Sequence, residues 1–435
     1  MSGVLLRCSN REDSRGTEGG DLVTRHTDVV IVGAGPSGLS AAMTLKQTTG
    51  ADVIVLEREG AAGGIPRHSD HTGYGIRDLH RVMTGPAYAN HLVDDATRAG
   101  VEIRTKTMVT DWHPDEALEY TSPAGRGKLH ASAILLATGA RERPRSARLL
   151  PGSRPAGVFT TGELQNRVHV HQLPVGKHAL IIGAELVSWS AVLTLKEAGC
   201  ATVGMVSEYP HAESYGAFNI LGRLAFRTPV HTRSRVTRII GHKQVESVEV
   251  ENLDTGIRTE IECDTVVTTG SWIPDHELAR QGNLLIDSGS KGPIVDPLGR
   301  TSVPGVFAAG NCVHPVDTAD VASLGGRHVA KTIAEFLANS MPQPPDEKVR
   351  LEVAEPLRWV SPGWFLPSTV PARNVLLTWT DRFIHFPTVR ALQDDKVIGT
   401  IRLPWPAAPG RMFRIPWRLV SRAQPAQGPV QIRLD

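Results

Sequence analysis

The chain reads as an α/β protein of two doubly wound β-α-β domains, the first interrupted by the second, followed by a small β-rich module. Three observations predict this. A β-branched run enters a glycine-spaced turn and a helix-forming stretch at residues 28–47, a degenerate copy of that segment recurs 150 residues later, and the composition changes at Pro342. With 435 residues and 40% hydrophobic content, the chain is long enough for about three domains, each with its own core.

Composition excludes several function classes. Lys and Arg number 47 against 45 Asp and Glu, so no net field favours nucleic acid or an anionic membrane. Cys8, Cys200, Cys263 and Cys312 lie too far apart for a CxxC pair, a zinc knuckle or an iron-sulfur cluster, which implies a reduced, cytoplasmic protein. The longest apolar runs fall far short of the ~20 residues of a membrane helix. Residues 1–27 mix Arg with Asp and Glu and lack a continuous apolar stretch; they read as a disordered leader and not as a secretory signal.

The first element pair is DVVIVGAGPSGLSAAMTLKQ, beginning at Asp28. Val29 to Val32 form the strand, Gly33 permits the turn, Gly35 lets a diphosphate approach the backbone, and Gly38 lets the helix opened by Pro36 and Ser37 pack closely on the sheet. The helix N-terminus faces that anion with unpaired N–H groups. A second strand, residues 51–56, ends at Glu57, placed to accept hydrogen bonds from a ribose. These are the parts of a Rossmann-like dinucleotide-binding domain.

Just beyond Glu57, the Gly63-Gly64 pair resembles the loop that wraps FAD, rather than NAD, in the two-dinucleotide-binding flavoproteins. Similar flavoproteins carry an Ala-Thr-Gly strand end, matched here by Ala137, Thr138 and Gly139, and a late Gly-Asp, matched by Gly310 and Asn311. Asn311 offers an amide without the charge. The resemblance assigns FAD to Gly33, Gly35, Pro36, Ser37, Gly38, Glu57, Arg58, Gly64, Ile65, Arg67, His68, Val109, Ala137, Thr138, Gly139, Gly310, Asn311, Thr318 and Ala319. Thr318, Ala319 and Asp320 begin a helix whose N-terminus would point at the pyrimidine end of the flavin ring. Because the signatures occur at Gly33 and again at Gly310, the FAD domain is expected to be discontinuous, residues 28–160 and 290–340, with residues 161–289 inserted. His68 and His71 are the candidate catalytic residues, as proton donors or hydrogen-bond partners at the flavin face. Their spacing does not make a metal site, and none is expected. Arg141, Arg143 and Arg145 follow the Ala-Thr-Gly strand end and either face an acidic group or form a solvated surface.

The inserted segment repeats the first fold. ALIIGAELVSWSAVLTLK aligns Gly183 with Gly33, Ser190 with Ser40 and Lys196 with Lys46, and its second strand ends at Glu208. The second and third glycines have become Glu185 and Ser188, which put a carboxylate and side-chain bulk where a diphosphate would touch the backbone. Like charges ~4 Å apart cost about 1 kcal/mol in water and about 4 kcal/mol at an effective dielectric of ~20. NAD(P)H binding here is therefore not the expectation, and a structural or docking role is.

Taken together, GGIPRHSDHTGYGIRDLHRVMTGPAYA, LATGARERPRSARLLPGSRPAGVFTTGELQ, GAELVSWSAVLTLKEAG, TGSWIPDHELA and AAGNCVHPVDTADVA resemble the FAD-containing alpha-type subunit of bacterial multi-subunit amine dehydrogenases, such as opine oxidase, hydroxyproline dehydrogenase, dye-linked proline dehydrogenase and hydrogen cyanide synthase. The resemblance implies a hetero-oligomer. A separate glycine-oxidase-type flavoprotein subunit would oxidise the C–N bond of an amine or imino acid, and a small 2Fe-2S protein would relay electrons. Two alternatives stand beside it: a stand-alone FAD-dependent NAD(P)H oxidoreductase, and a flavin-bound scaffold without redox turnover. A disulfide reductase would need a dithiol that the cysteine spacing does not provide.

From residue 341 the chain is expected to form a Pro- and Trp-rich module: 14 of the 30 prolines and five of the eight tryptophans fall in the last 94 residues. Residues 374–380 and 396–403 read as strands broken by Pro. Trp359, Trp364, Trp379, Trp405 and Trp417 serve either as this module's core or as a partner surface.

Overall fold

A computed structural model describes residues 23–112, 117–315, 317–340 and 348–435. The α/β class is as expected, with separate sheets for the two repeats and for the C-terminal module. In the first sheet the strand Val23–Val32 lies between Val53–Leu56 and Gly125–Leu136, all parallel, with Glu102–Arg104 on the outer edge. Val29 to Val32 and Val53 to Leu56 read as continuous apolar runs because both faces of this sheet are covered. Helix α1 (Pro36–Thr49) and α2 (Gly85–Arg98) cover it, and an antiparallel pair, Met108–Trp112 and Leu118–Ser122, extends it past Gly125–Leu136.

The first strand begins at Val23, so residues 23–27, expected within the leader, belong to the sheet. Thr27 donates to the Asp52 carbonyl at 2.8 Å, the His26 and His130 rings stack at 4.8 Å, and Arg25 pairs with Glu102 at 2.9 Å. That extension was missed because Thr24, Arg25, His26 and Thr27 are all polar and show no apolar alternation. The rest of the expected leader, residues 1–22, lies outside the described residues, and Cys8 with it.

The second sheet is parallel, in the order Val158–Thr160, Thr265–Thr268, His178–Ile182, Ala201–Val206, Val230–His231. Helices α3 (Thr161–Gln165), α4 (Leu186–Glu197) and α5 (Gly216–Phe226) belong to it, and a three-stranded meander, Ser234–Glu262, packs on its other face. The chain returns to the first domain at Trp272, well before the expected residue 290. Trp272–Pro274 pairs antiparallel with Ala140–Glu142, and Ala279 of the short α6 (Glu277–Gln281) joins the first domain's core beside Trp112. Apolar patterning carried no mark of that return because the crossing ribbon is only three residues wide.

Val306–Ala308 then adds to Gly125–Leu136, and α7 (Ala319–Leu337) packs along α1. The close approach needs small residues: a Cβ on Gly326 would sit 2.0 Å from the Ser37 carbonyl, and Ser40 and Ser323 share a 2.7 Å hydrogen bond. The C-terminal module has two sheets, one of five strands and one of three, around its own core. Strands occur at Val375–Thr380 and Lys396–Arg402, where the sequence predicts them. Its tryptophans split between roles. Trp417 is in the module's core, Trp359 stacks on His314 of the first domain at 5.1 Å, Trp364 lies under Arg300, and Trp405 remains exposed.

Candidate functional site

One cavity of about 1780 Å³ runs between the first domain, the second domain and the C-terminal module. This exceeds the ~300–1,000 Å³ of a drug-sized ligand pocket and suits an extended dinucleotide.

At its first-domain end, Gly33 has φ +108° and a Cβ there would lie 2.4 Å from the Ala137 carbonyl, so the turn tolerates only glycine. Gly38 packs on Gly33, and Gly310 on Ser37; these two shape the loop without reaching the cavity. Gly35 has ordinary backbone angles and nothing opposite it except Gly64 Cα at 4.0 Å, which leaves the α1 N-terminus open. No side chain caps α1 and no acidic residue occupies its first turn. Glu57, 8% exposed, accepts from Ala34 N at 2.9 Å and Glu59 N at 2.8 Å, and so fixes the two loops that face each other. Gly63 N closes them by donating to the Ala34 carbonyl at 2.8 Å. An uncapped helix N-terminus, a backbone approachable at Gly35 and a carboxylate at the strand end fit a dinucleotide diphosphate and its ribose.

Most of the other predicted residues line the same cavity: Gly33, Pro36, Ser37, Arg58, Gly64, Ile65, His68, His71, Val109, Ala137, Thr138, Gly139, Asn311, Thr318 and Ala319. Arg58, Thr138 and Gly139 converge on Asp275, which takes an ion pair from Arg58 at 2.8 Å, a hydrogen bond from Thr138 Oγ1 at 2.6 Å to its carbonyl, and donates its N–H to Gly139. Arg67 departs from expectation. Its guanidinium turns away to Glu59 and the Ala61 carbonyl. Asn311 also differs: its amide spans the loop, donating to the Asp317 carbonyl at 3.1 Å and accepting from Asp317 N at 2.9 Å. Arg141 pairs with Glu277, and Arg145 donates to the carbonyls of Leu150 and Pro151, so both act as structural ties.

The histidines are not equivalent. His68 is 4% exposed, and burial holds its ring down at about 4, so near neutrality it is uncharged and cannot deliver a proton as an imidazolium. Its buried Nδ1 has no hydrogen-bond partner among the described residues. His71 is half-buried; its Nδ1–H donates to the Thr72 carbonyl at 2.9 Å and its Nε2 lies 3.3 Å from Ser69 Oγ.

Sequence placed Asp320 at the start of α7 without giving it a partner, and did not single out Gln165 or Asp317 of the cavity. Asp320, 1% exposed, accepts from Arg77 N at 3.0 Å and pairs with its guanidinium, which anchors the start of α7. Gln165 joins Ser69 and Ser190 across the domains, at 3.2 and 2.8 Å. Asp317 pairs with Arg414 of the C-terminal module at 2.9 Å. Apart from Gln165–Ser190, these ties join residues 96 to 243 apart in sequence, and no local spacing marks them.

At the second-domain end, the glycine loop is closed by its own side chains. Glu185 caps α4: its carboxyl accepts from the Ser188 N–H while Ser188 Oγ receives the Glu185 N–H at 3.1 Å. The carboxyl thus sits where the diphosphate of a nucleotide would meet the helix, and it fills the space that a Cβ on Gly270 would need. Burial and the neighbouring Glu213 push Glu185 up to about 8; burial pushes Glu213 up to about 7. Gly410 of the C-terminal module lies over both. A Cβ at Gly410 would come within 2.8 Å of Glu185 Cγ and 3.0 Å of Glu213 Cβ. Cys200, Cys263 and Cys312 are all buried, and burial pushes their thiols up to about 12, 11 and 11.

Among curated proteins, the chain is 26% identical over 363 residues to sarcosine oxidase subunit alpha of Rhizobium meliloti, covering 79% of this chain and 34% of that protein. It is 25% identical over 299 residues to thioredoxin reductase of Treponema pallidum, covering 65% of this chain and 88% of that one. The match to the sarcosine oxidase subunit therefore spans about a third of that relative's length. Among solved structures, thioredoxin reductase of T. acidophilum superposes with a TM-score of 0.61 at 23% identity, over 73% of this chain and 100% of that chain. Residues 27–326 match the pyridine nucleotide-disulphide oxidoreductase family, which binds FAD, and the chain belongs to that family.

Proposed function

We propose that the chain is the flavin-carrying subunit of a multi-component dehydrogenase that acts on the C–N bond of an amine or imino acid and passes electrons to an acceptor other than NAD(P). One observation carries this reading. Of two repeated helix N-termini on one cavity, α1 is open and α4 is capped by Glu185 and covered by Gly410. A nucleotide entering the second site would have to displace a built-in cap, worth about 0.5–2 kcal/mol, and place its phosphates beside a carboxyl pair. The likeness to a sarcosine oxidase alpha subunit supports the substrate class and the need for partners. These would be a glycine-oxidase-type flavoprotein subunit and a small 2Fe-2S protein.

FAD, when bound, supplies the acceptor for the electron pair removed from the substrate. The chain's own residues position it: the α1 N-terminus and Gly35 receive the diphosphate, Glu57 faces the ribose, and Thr318 and Ala319 bring the α7 N-terminus to the ring. His68, held neutral, has one ring nitrogen that donates and one that accepts, and its Nδ1 is unpartnered among the described residues.

The second reading, a stand-alone NAD(P)H oxidoreductase, is favoured by the thioredoxin reductase likeness, which covers 88% of that relative. An anaerobic titration of the purified, FAD-loaded chain with NADH and NADPH separates the two. The flavin absorbance is expected to stay oxidised; bleaching within seconds at stoichiometric nucleotide overturns the proposal.

A further inference from the structure

The cavity wall contributed by the C-terminal module carries a cation that the protein leaves uncompensated. Arg411, Met412 and Arg414 all line the cavity, as does Trp379 of the neighbouring strand. Arg414 is neutralised by Asp317. Arg411 is not: among the described residues its guanidinium meets the Tyr215 ring at 4.9 Å and has no carboxylate partner, although it is half-buried and burial lowers its pKa. A partly desolvated cation over an aromatic face gains most from an anion brought to it.

The surroundings narrow the anion. Tyr215, the residue before α5, and Phe218 within it have rings 6.4 Å apart and, with Met412, supply apolar lining around this slot; Glu185 of the second domain lines the same cavity. A single guanidinium suits a monoanion; a dianionic phosphate would be left half-compensated, the neighbouring Arg414 being already paired with Asp317.

We propose that this slot binds a small carboxylate, its anionic group on Arg411 and its apolar body between Tyr215, Phe218 and Met412. The slot occupies the second-domain end of the cavity, beside the site that Glu185 closes, so the surface that meets a nucleotide in an open repeat here meets an organic acid. The proposal deepens the reading of the chain as part of an amino- or imino-acid dehydrogenase and rests on it for the ligand's class. The binding itself is measurable without turnover.

The test uses the full FAD-loaded chain and benzoate, which cannot be oxidised at a C–N bond. Isothermal titration is expected to show one saturable site for benzoate, with benzyl alcohol and phenyl phosphate binding at least about tenfold more weakly. R411Q should weaken benzoate by at least about tenfold, R411K should restore part of it, and R402Q, on the outer sheet, should leave it unchanged. Flavin content and thermal midpoint of each variant are read first. If R411Q does not hold flavin, R411K and M412A in the same titration carry the test, the latter expected to weaken benzoate as apolar contact is lost. Equal binding of benzoate and benzyl alcohol, undiminished binding to R411Q, or tighter binding of phenyl phosphate overturns the proposal. The dehydrogenase reading fails separately, by rapid NAD(P)H reduction of the flavin, which leaves the benzoate result standing by itself.

Discussion

Two glycines two residues apart do different work, and substitution separates them. Gly33 is confined by backbone conformation and by the Ala137 carbonyl, so Gly33→Ala should cost about 1–3 kcal/mol of strain and lower the thermal midpoint of the flavin-free chain. Gly35 has no such constraint. Gly35→Ala is expected to leave that midpoint nearly unchanged while lowering FAD affinity about tenfold or more, read by flavin retained after gel filtration. If G35A unfolds as readily as G33A, the open approach at Gly35 is not the reason for its glycine. The turn glycines, Glu57 and the Ala137-Thr138-Gly139 strand end were legible because each answers a local demand within one β-α-β unit. The direction of Arg67 was not legible, since adjacency to a glycine pair says nothing about which way a long side chain turns. Arg411 was invisible because its meaning comes from Tyr215, almost 200 residues away.

Helix α7 meets α1 backbone to backbone, and that contact sets both domain integrity and the placement of Thr318 against the cavity. Gly326→Ala would thrust a methyl group into the Ser37 carbonyl and should separate the helices at a cost of about 1–3 kcal/mol. Denaturant unfolding reads the loss, and flavin content should fall with it because Ser37 opens α1; full flavin retention in G326A would refute the coupling. The recurrence of flavin signatures at Gly33 and Gly310 implied one discontinuous domain; that α7 packs on α1 came from the structure. The self-cap of α4 was half legible. Sequence showed that Glu185 and Ser188 replace glycines, and the structure adds that they bond to each other's backbone, turning an obstruction into a stable helix start. The early return of the chain at Trp272 was missed because a three-residue ribbon has too few residues to show a period.

Across the whole molecule, buried ionisable groups set opposing pH limits. His68 and His314 are both held down at about 4 by burial, below the ~6.5 of an unfolded histidine. The unfolded chain therefore binds more protons below about pH 6.5, and stability falls as pH drops from there toward 4. Glu185 and Glu213 are raised to about 8 and 7. Here the unfolded chain releases protons first, so stability falls as pH rises from about 4.5 toward 8. Thermal midpoints of the flavin-free chain should peak between about pH 5 and 6.5, and Glu185→Gln should flatten the alkaline side and shift the peak toward the upper end of that range. An unchanged alkaline slope in E185Q would show that the pair is not its source. At this scale, sequence conveyed two repeats and a tail, but not that the tail folds back over the second repeat.

The first sheet is finished by Val306–Ala308, which pairs with Ile134–Leu136. Between those partners in sequence lies the entire second domain, whose strands from Val158 to Thr268 pair with one another. On the ribosome, the second domain can close while the first still shows a bare, apolar strand edge at Ile134–Leu136. The nascent chain is thus most prone to mispair with its neighbours during the interval in which its middle is already folded, and the flavin loop built from Ser37 and Gly310 comes together only after that interval ends.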